Sequence, residues 1–260
     1  MYGTPLVPGL RNLLRVLPLA LCAASLAAQV TTVPTENAFA IQRGWQQQCI
    51  DRVAAAQGHP VDILFLGDSI TENFSQPPRP DWPLVGIDVW NKHYAHRNTL
   101  NFGVSSDGTE HMLWRLEHMN IQTFHPKVVV LLAGINDAQY SSDDIVAGVK
   151  AVLRKTESTF PDAKIILMNI LPNGRAPEKT EAANLSLERL ADNKTVFSLD
   201  LAPFMPKTHD SETGDNWLGL GKDHLHLTEQ GYAIWADHLD PLLDRLLAPP
   251  QEDPTTPSNP

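Results

Sequence analysis

Val128-Val129-Val130-Leu131-Leu132 and Ile165-Ile166-Leu167-Met168-Asn169-Ile170 run apolar without the in-and-out alternation of a strand that faces water on one side. Such runs fit strands covered on both faces. They belong to predicted strands at 127–132 and 164–170, and shorter apolar runs at 62–66, 99–102 and 195–200 bring the number to five. Stretches of helical period lie between and after them, at 110–119, 142–159, 178–190 and 229–247. Strands that alternate with helices pair in parallel through crossovers. The chain is therefore predicted to fold as an α/β protein, a three-layer αβα sandwich whose central parallel sheet has the flavodoxin-like order 2-1-3-4-5.

Outside this core the sequence changes character. Arg11 and Arg15 precede an apolar stretch from Val16 to Ala28 that ends in Ala23, Ala24, Ser25, Ala27 and Ala28, the three-part pattern of a signal peptide over residues 1–28. Export to the periplasm or beyond the cell, after cleavage near Ala27 or Ala28, is the expectation, with no membrane span left in the mature protein. Residues 29–39, polar and carrying Pro34, read as a linker before a helix at about 40–57. The globular domain is expected over 40–247, followed at 248–260 by a proline-rich tail with too little apolar content to pack. Removal of Cys22 with the signal would leave Cys49 alone, so no internal disulfide is expected.

A hydrophobic fraction of 42% and a charged fraction of 19% are those of a globular domain. The formal charge of −10, with no Lys/Arg cluster, argues against nucleic acid as a partner. The oligomeric state cannot be read from the sequence.

The chemistry gathers at the predicted strand ends. Leu64-Phe65-Leu66-Gly67-Asp68-Ser69-Ile70 sets a serine behind a glycine where the first strand ends and the backbone turns. Alone, such a serine is as well read as a helix N-cap. Asn101-Phe102-Gly103 ends the second strand and Ala133-Gly134-Ile135-Asn136-Asp137 the third. In the predicted order these three ends are neighbours at the edge where ligands bind. Ser69 could then act as nucleophile, with the Gly103 N–H and the Asn136 amide as oxyanion donors. A tight turn at Gly103 and a loop cap at Asn136 are the plainer alternatives. Late in the chain, Asp223-His224-Leu225-His226 places an acid three residues before a histidine, so that Asp223 can orient His226 toward the serine. His224 and His226 with Asp223 could instead begin a metal site, but no other His or Cys cluster is present to complete one, and neither metal nor cofactor is expected.

As a set, Gly67-Asp68-Ser69-Ile70, Asn101-Phe102-Gly103, Gly134-Ile135-Asn136-Asp137 and Asp223-x-x-His226 resemble the ordered blocks of the GDSL, or SGNH, hydrolase superfamily. The stretches 101–116 and 225–235 look like its platelet-activating-factor acetylhydrolase-like branch. The resemblance covers roughly residues 61–247, with Ile70 in place of the leucine of the name motif. It implies metal-independent ester hydrolysis through an acyl-enzyme, with Ser69 as nucleophile, His226 as general base and then acid, and Asp223 as its partner. It also implies an oxyanion hole from the Ser69 and Gly103 N–H groups and the Asn136 side chain. Short-chain, above all acetyl, esters are the expected substrates, O-acetylated carbohydrates among them. Lysophospholipids and thioesters are alternatives within one mechanism, and a non-catalytic carbohydrate-binding module is the alternative of another class. Asp68, Trp82, Trp217 and His224 are the expected pocket residues, and the segments 74–90 and 210–222 the expected walls or lids.

Overall fold

A computed structural model describes residues 30–210 and 214–249. The signal-peptide region and nearly all of the predicted tail lie outside the described residues. The five apolar runs form strands β1 (Ile63–Gly67), β2 (Thr99–Gly103), β3 (Val128–Leu131), β4 (Lys164–Met168) and β5 (Val196–Leu199), joined in one parallel sheet of order β2-β1-β3-β4-β5. Every residue of β1 and β3 is buried. The register pairs Gly67 with Gly103 and Leu66 with both Phe102 and Leu131, so the carboxyl ends of the first three strands finish level with one another. This is the α/β sandwich that the sequence predicts.

The helices are α1 (Ala38–Gln42), α2 (Trp45–Ala56), α3 (Ser69–Phe74), α4 (Ile87–His93), α5 (Thr109–His118), α6 (Ser142–Thr159), α7 (Pro177–Leu187) and α8 (Glu229–Leu247). Helix α8 begins where Thr228 accepts the Gly231 N–H, and its Tyr232 hydroxyl donates to the Ile70 carbonyl at 2.7 Å, which ties the last helix to α3. Phe65, Phe74, Trp90, Tyr94 and Trp235 pack together beneath these helices, with centroids 5.1–6.2 Å apart where they meet. Trp90 thus belongs to the core.

Two expectations need correction. The single helix expected at 40–57 is two, α1 and α2, because Gly44 takes φ 76°, a left-handed conformation that ends one helix and starts the next at a new angle. The segment read as a linker is part of the domain: Thr31 is fully buried, its carbonyl accepts the Thr109 hydroxyl at 2.9 Å, and Thr35 N donates to the Glu110 carbonyl at 3.1 Å. Polar composition hid this packing. Lys207–Asp210 and Gly214–Trp217 also form a small antiparallel pair, β6 and β7, that the apolar pattern could not announce.

Candidate active site

A glycine is required where β1 turns into α3, since a side chain on Gly67 would run into Thr71 and crowd the Leu132 carbonyl. The turn lifts Ser69 onto the sheet edge as the first residue of α3, while the Asp68 carboxylate caps the helix by accepting the Ile70 N–H at 2.9 Å. Ser69 Oγ lies 2.9 Å from His226 Nε2, and His226 Nδ1 lies 2.6 Å from Asp223 Oδ2. Residues 157 positions apart in sequence are therefore linked by one hydrogen bond. The loop that brings His226 in is itself braced: Gly221 N donates to the His226 carbonyl at 2.8 Å, and Asp223 Oδ1 accepts the N–H groups of Leu225 and His226, each at 3.1 Å. Burial pulls the Asp223 carboxyl upward, but the hydrogen bonds from the His226 ring, His226 N and Leu225 N outweigh it and hold it below its ordinary value. Asp223 is thus a carboxylate, able to fix the ring with Nε2 facing the serine.

Two expected residues take other roles. Gly103 does not present its N–H to the site: that group donates to Asn101 Oδ1 at 2.9 Å, and the Gly103 carbonyl accepts Arg52 at 2.6 Å. Its missing side chain makes room for the Glu72 backbone, so the glycine serves the close packing of α3 on β2. Asp68 is not a pocket wall but fully buried, and desolvation pushes its carboxyl up to about 6.

Asn136 lines the same cavity as Ser69. Its Oδ1 accepts Arg175 Nη1 at 2.8 Å and its Nδ2 donates to the Asp107 carbonyl at 2.9 Å, an arrangement that leaves the second Nδ2 hydrogen available. Beside it stands Ser106, in the left-handed conformation at φ 66°, with no hydrogen bond from its N–H among the described residues. The preceding residue is held hard, since the Glu72 carboxylate accepts both the N–H and the hydroxyl of Ser105. Ser69, Ser106 and Asn136 line one cavity of about 250 Å3 together with His226 and Trp82. With the Ser69 N–H, which has no intrahelical acceptor in the first turn, the residues that line this cavity carry three uncommitted donors. Trp82 meets the His226 ring edge-on at 4.8 Å. Trp217 and His224 lie on the other side of His226, in an open groove that shares Arg175 with the cavity. His224 has φ 55° and its Cβ is against Gly174. Among the described residues no three His, Cys, Asp or Glu side chains come together as a ligand set for a metal.

Beneath the cavity, the buried Arg115 guanidinium donates to the carbonyls of Gly67 (3.0 Å) and Phe102 (2.6 Å) and to the Asp107 carboxylate (2.6 Å). One side chain thereby joins the ends of β1 and β2 to the loop that carries Ser106. Asn37, from the segment read as a linker, donates to the other Asp107 oxygen at 2.9 Å. Burial pulls the Asp107 carboxyl upward, whereas Arg115 and Asn37 favour its charged form, and with the guanidinium at 2.6 Å the two side chains form an ion pair.

The model of the GDSL-like Lipase/Acylhydrolase family matches residues 65–234. The chain belongs to this family. It is 29% identical over 204 residues to the human platelet-activating factor acetylhydrolase IB subunit alpha1, covering 76% of this chain and 82% of that one. It is likewise 29% identical over 221 residues to the rat alpha2 subunit, covering 82% and 89%. A Bacteroides fragilis protein provisionally assigned as an acylhydrolase superposes with a TM-score of 0.58 at 19% identity, over 82% of this chain and all of the other. A carbohydrate esterase family 3 protein from Talaromyces cellulolyticus does so with a TM-score of 0.50 at 19% identity, over 72% and 97%. At such identities the structural likeness shows the fold alone, whereas the family match makes this chain a GDSL-type hydrolase. Ser106, Arg115 and Arg175 are the site's parts that the sequence does not announce. Nothing local marks a serine for a left-handed turn or an arginine as a brace.

Proposed function

We propose that this GDSL-family hydrolase is an exported serine esterase of short-chain, chiefly acetyl, esters. The observation that carries the reading is the continuous chain from Ser69 Oγ through His226 to Asp223, at 2.9 and 2.6 Å, opening on a cavity with backbone and amide donors. In the reaction, Ser69 Oγ attacks the acyl carbon as His226 Nε2 takes its proton, and Asp223 stabilises the imidazolium that results. The oxyanion is received by the N–H groups of Ser69 and Ser106 and the Asn136 amide, Ser106 taking the part first read for Gly103. His226 then gives its proton to the leaving alkoxide, and a water repeats the sequence on the acyl-enzyme.

The short-acyl assignment rests on the likeness to relatives named platelet-activating factor acetylhydrolase. Export rests on the charged, apolar and small-residue pattern of residues 1–28.

Hydrolysis of p-nitrophenyl esters from acetate to palmitate, with Ser69→Ala run at each length, tests the proposal. A peak at acetate that vanishes in the variant is the expected result. A peak at long chains would refute the short-acyl assignment, and no Ser69-dependent turnover at any length would leave a binding module as the better reading.

A further inference from the structure

The cavity that holds Ser69 is not a neutral cleft. Besides the catalytic groups it is lined by Trp45, Trp82, Arg79, Arg175 and Asp81. Arg79 and Trp82 bond each other through the backbone alone, at 2.9 and 3.1 Å, so the Arg79 guanidinium is left to the cavity. Arg175 uses Nη1 on Asn136 Oδ1 and, at 3.4 Å, on the Ile135 carbonyl. Neither arginine has a carboxylate within ion-pair distance among the described residues. Two arginines with spare donors thus line the cavity of the nucleophile, against a single carboxylate, in a chain whose formal charge is −10. The overall charge repels anions, so a local cationic pair is a device for admitting a particular one. Guanidinium donors match the planar oxygens of carboxylate and phosphate. Two tryptophans line the same cavity, Trp45 also in contact with Phe39 and Arg43 and Trp82 with His226, so a bound ring would find aromatic surface there.

We infer that the alcohol part of the cleaved ester is a ring-bearing anion, its carboxylate or phosphate held by Arg79 and Arg175 and its ring set between Trp45 and Trp82. This rests on the esterase reading above. An acetyl group fills little of the cavity of about 250 Å3 that holds Ser69, which leaves most of that cavity for the alcohol. Asp81, which cannot pair with the anion, is placed to accept hydroxyl groups of a sugar acid.

Two matched acetates, 4-acetoxybenzoate and the neutral 4-acetoxybenzamide, give the kinetic arm. Calorimetric titration of Ser69→Ala protein with the corresponding phenols, 4-hydroxybenzoate and 4-hydroxybenzamide, gives an arm that needs no turnover. The carboxylate should be preferred about tenfold at low ionic strength in both, the scale of one charge-assisted hydrogen bond. Arg79→Gln should bring that preference toward unity, and added salt should weaken it. A still larger preference for 4-acetoxyphenyl phosphate would assign the anion as phosphate rather than carboxylate. Equal affinities for the two phenols, or a preference that Arg79→Gln does not move, would overturn the inference. A retained binding preference without turnover of either acetate would count against the esterase reading alone.

Discussion

The floor of the active site and its rim are built on opposite principles. The floor is over-determined: the buried Arg115 spans two strand ends and a loop, the buried Glu72 pins Ser105, and Asp223, though itself exposed, accepts three donors. The rim, at Arg79 and Asp81, is exposed, whereas Arg175 beside it is tied to the floor through the Asn136 amide. Groups that must hold their position to within about half an ångström need rigid support, whereas groups that select a substrate can be exchanged without disturbing the fold. The difference predicts that floor substitutions damage turnover or folding whichever ester is offered, and that rim substitutions change which ester is taken.

The largest effect should come from the residue that never touches substrate. Asp223→Asn keeps the shape of the triad but favours the wrong tautomer of His226, and kcat should fall on the order of 10^4-fold on every ester. A loss below about tenfold, with the fold intact by circular dichroism, would remove Asp223 from the triad. Arg115→Met should be felt in folding instead. It leaves Asp107 buried without its guanidinium and frees two carbonyls, for a cost of about 3–5 kcal/mol in urea unfolding. Unchanged stability would show that the floor is held by the sheet alone.

A finer contrast separates the oxyanion donors. Asn136→Ala should lower kcat by about 10^2 to 10^3-fold with KM little altered, because its amide acts on the transition state. Ser106→Gly should retain nearly full activity, since the reaction needs its N–H and glycine adopts φ 66° more readily than serine. A Ser106→Gly variant as impaired as Asn136→Ala would mean that the serine side chain, rather than its backbone, is at work.

The same contrast explains how much of the molecule is legible in its sequence. The strands are legible because burial on both faces leaves apolar runs such as Val128-Val129-Val130, and the triad because Ser69 and Asp223-x-x-His226 keep fixed local spacings. Gly103 misleads for an instructive reason: a glycine at a strand end is required both for donating an N–H and for close packing, and only the Asn101 side chain on its N–H decides between them. Arg115 and Arg175 act through contacts made across the fold, at 13, 48 and 39 positions of separation, and no local pattern encodes these. Ser106 is equally silent, because its role comes from a backbone conformation set by the anchoring of its neighbour Ser105 on Glu72. The strands Lys207–Asp210 and Gly214–Trp217 put only Trp217 against the core, so they carry no apolar run.

The floor's rigidity also stores an electrostatic cost that pH should reveal. Asp137, next to Asn136, and Glu110 flank Gly108 so closely that a side chain there would be 2.6 Å from an oxygen of each. Burial first, and then the Glu110 charge, push the Asp137 carboxyl from 3.8 up to about 7. Between these values the folded chain keeps a proton that the unfolded chain has lost. Stability from this group is therefore complete below about pH 4, declines as pH rises, and is gone above about pH 7. Asp68, pushed up to about 6, adds to the descent over its lower part. Asp137→Asn removes the larger share while keeping an oxygen to accept the Thr109 N–H. The variant should match the parent near pH 4 and exceed it by about 4 kcal/mol at pH 8 in urea titrations, with a shallower slope between. An equal loss of stability at both pH values would show that Asp137 acts through its hydrogen bond rather than its charge, and the descent with pH would have to arise elsewhere in the floor.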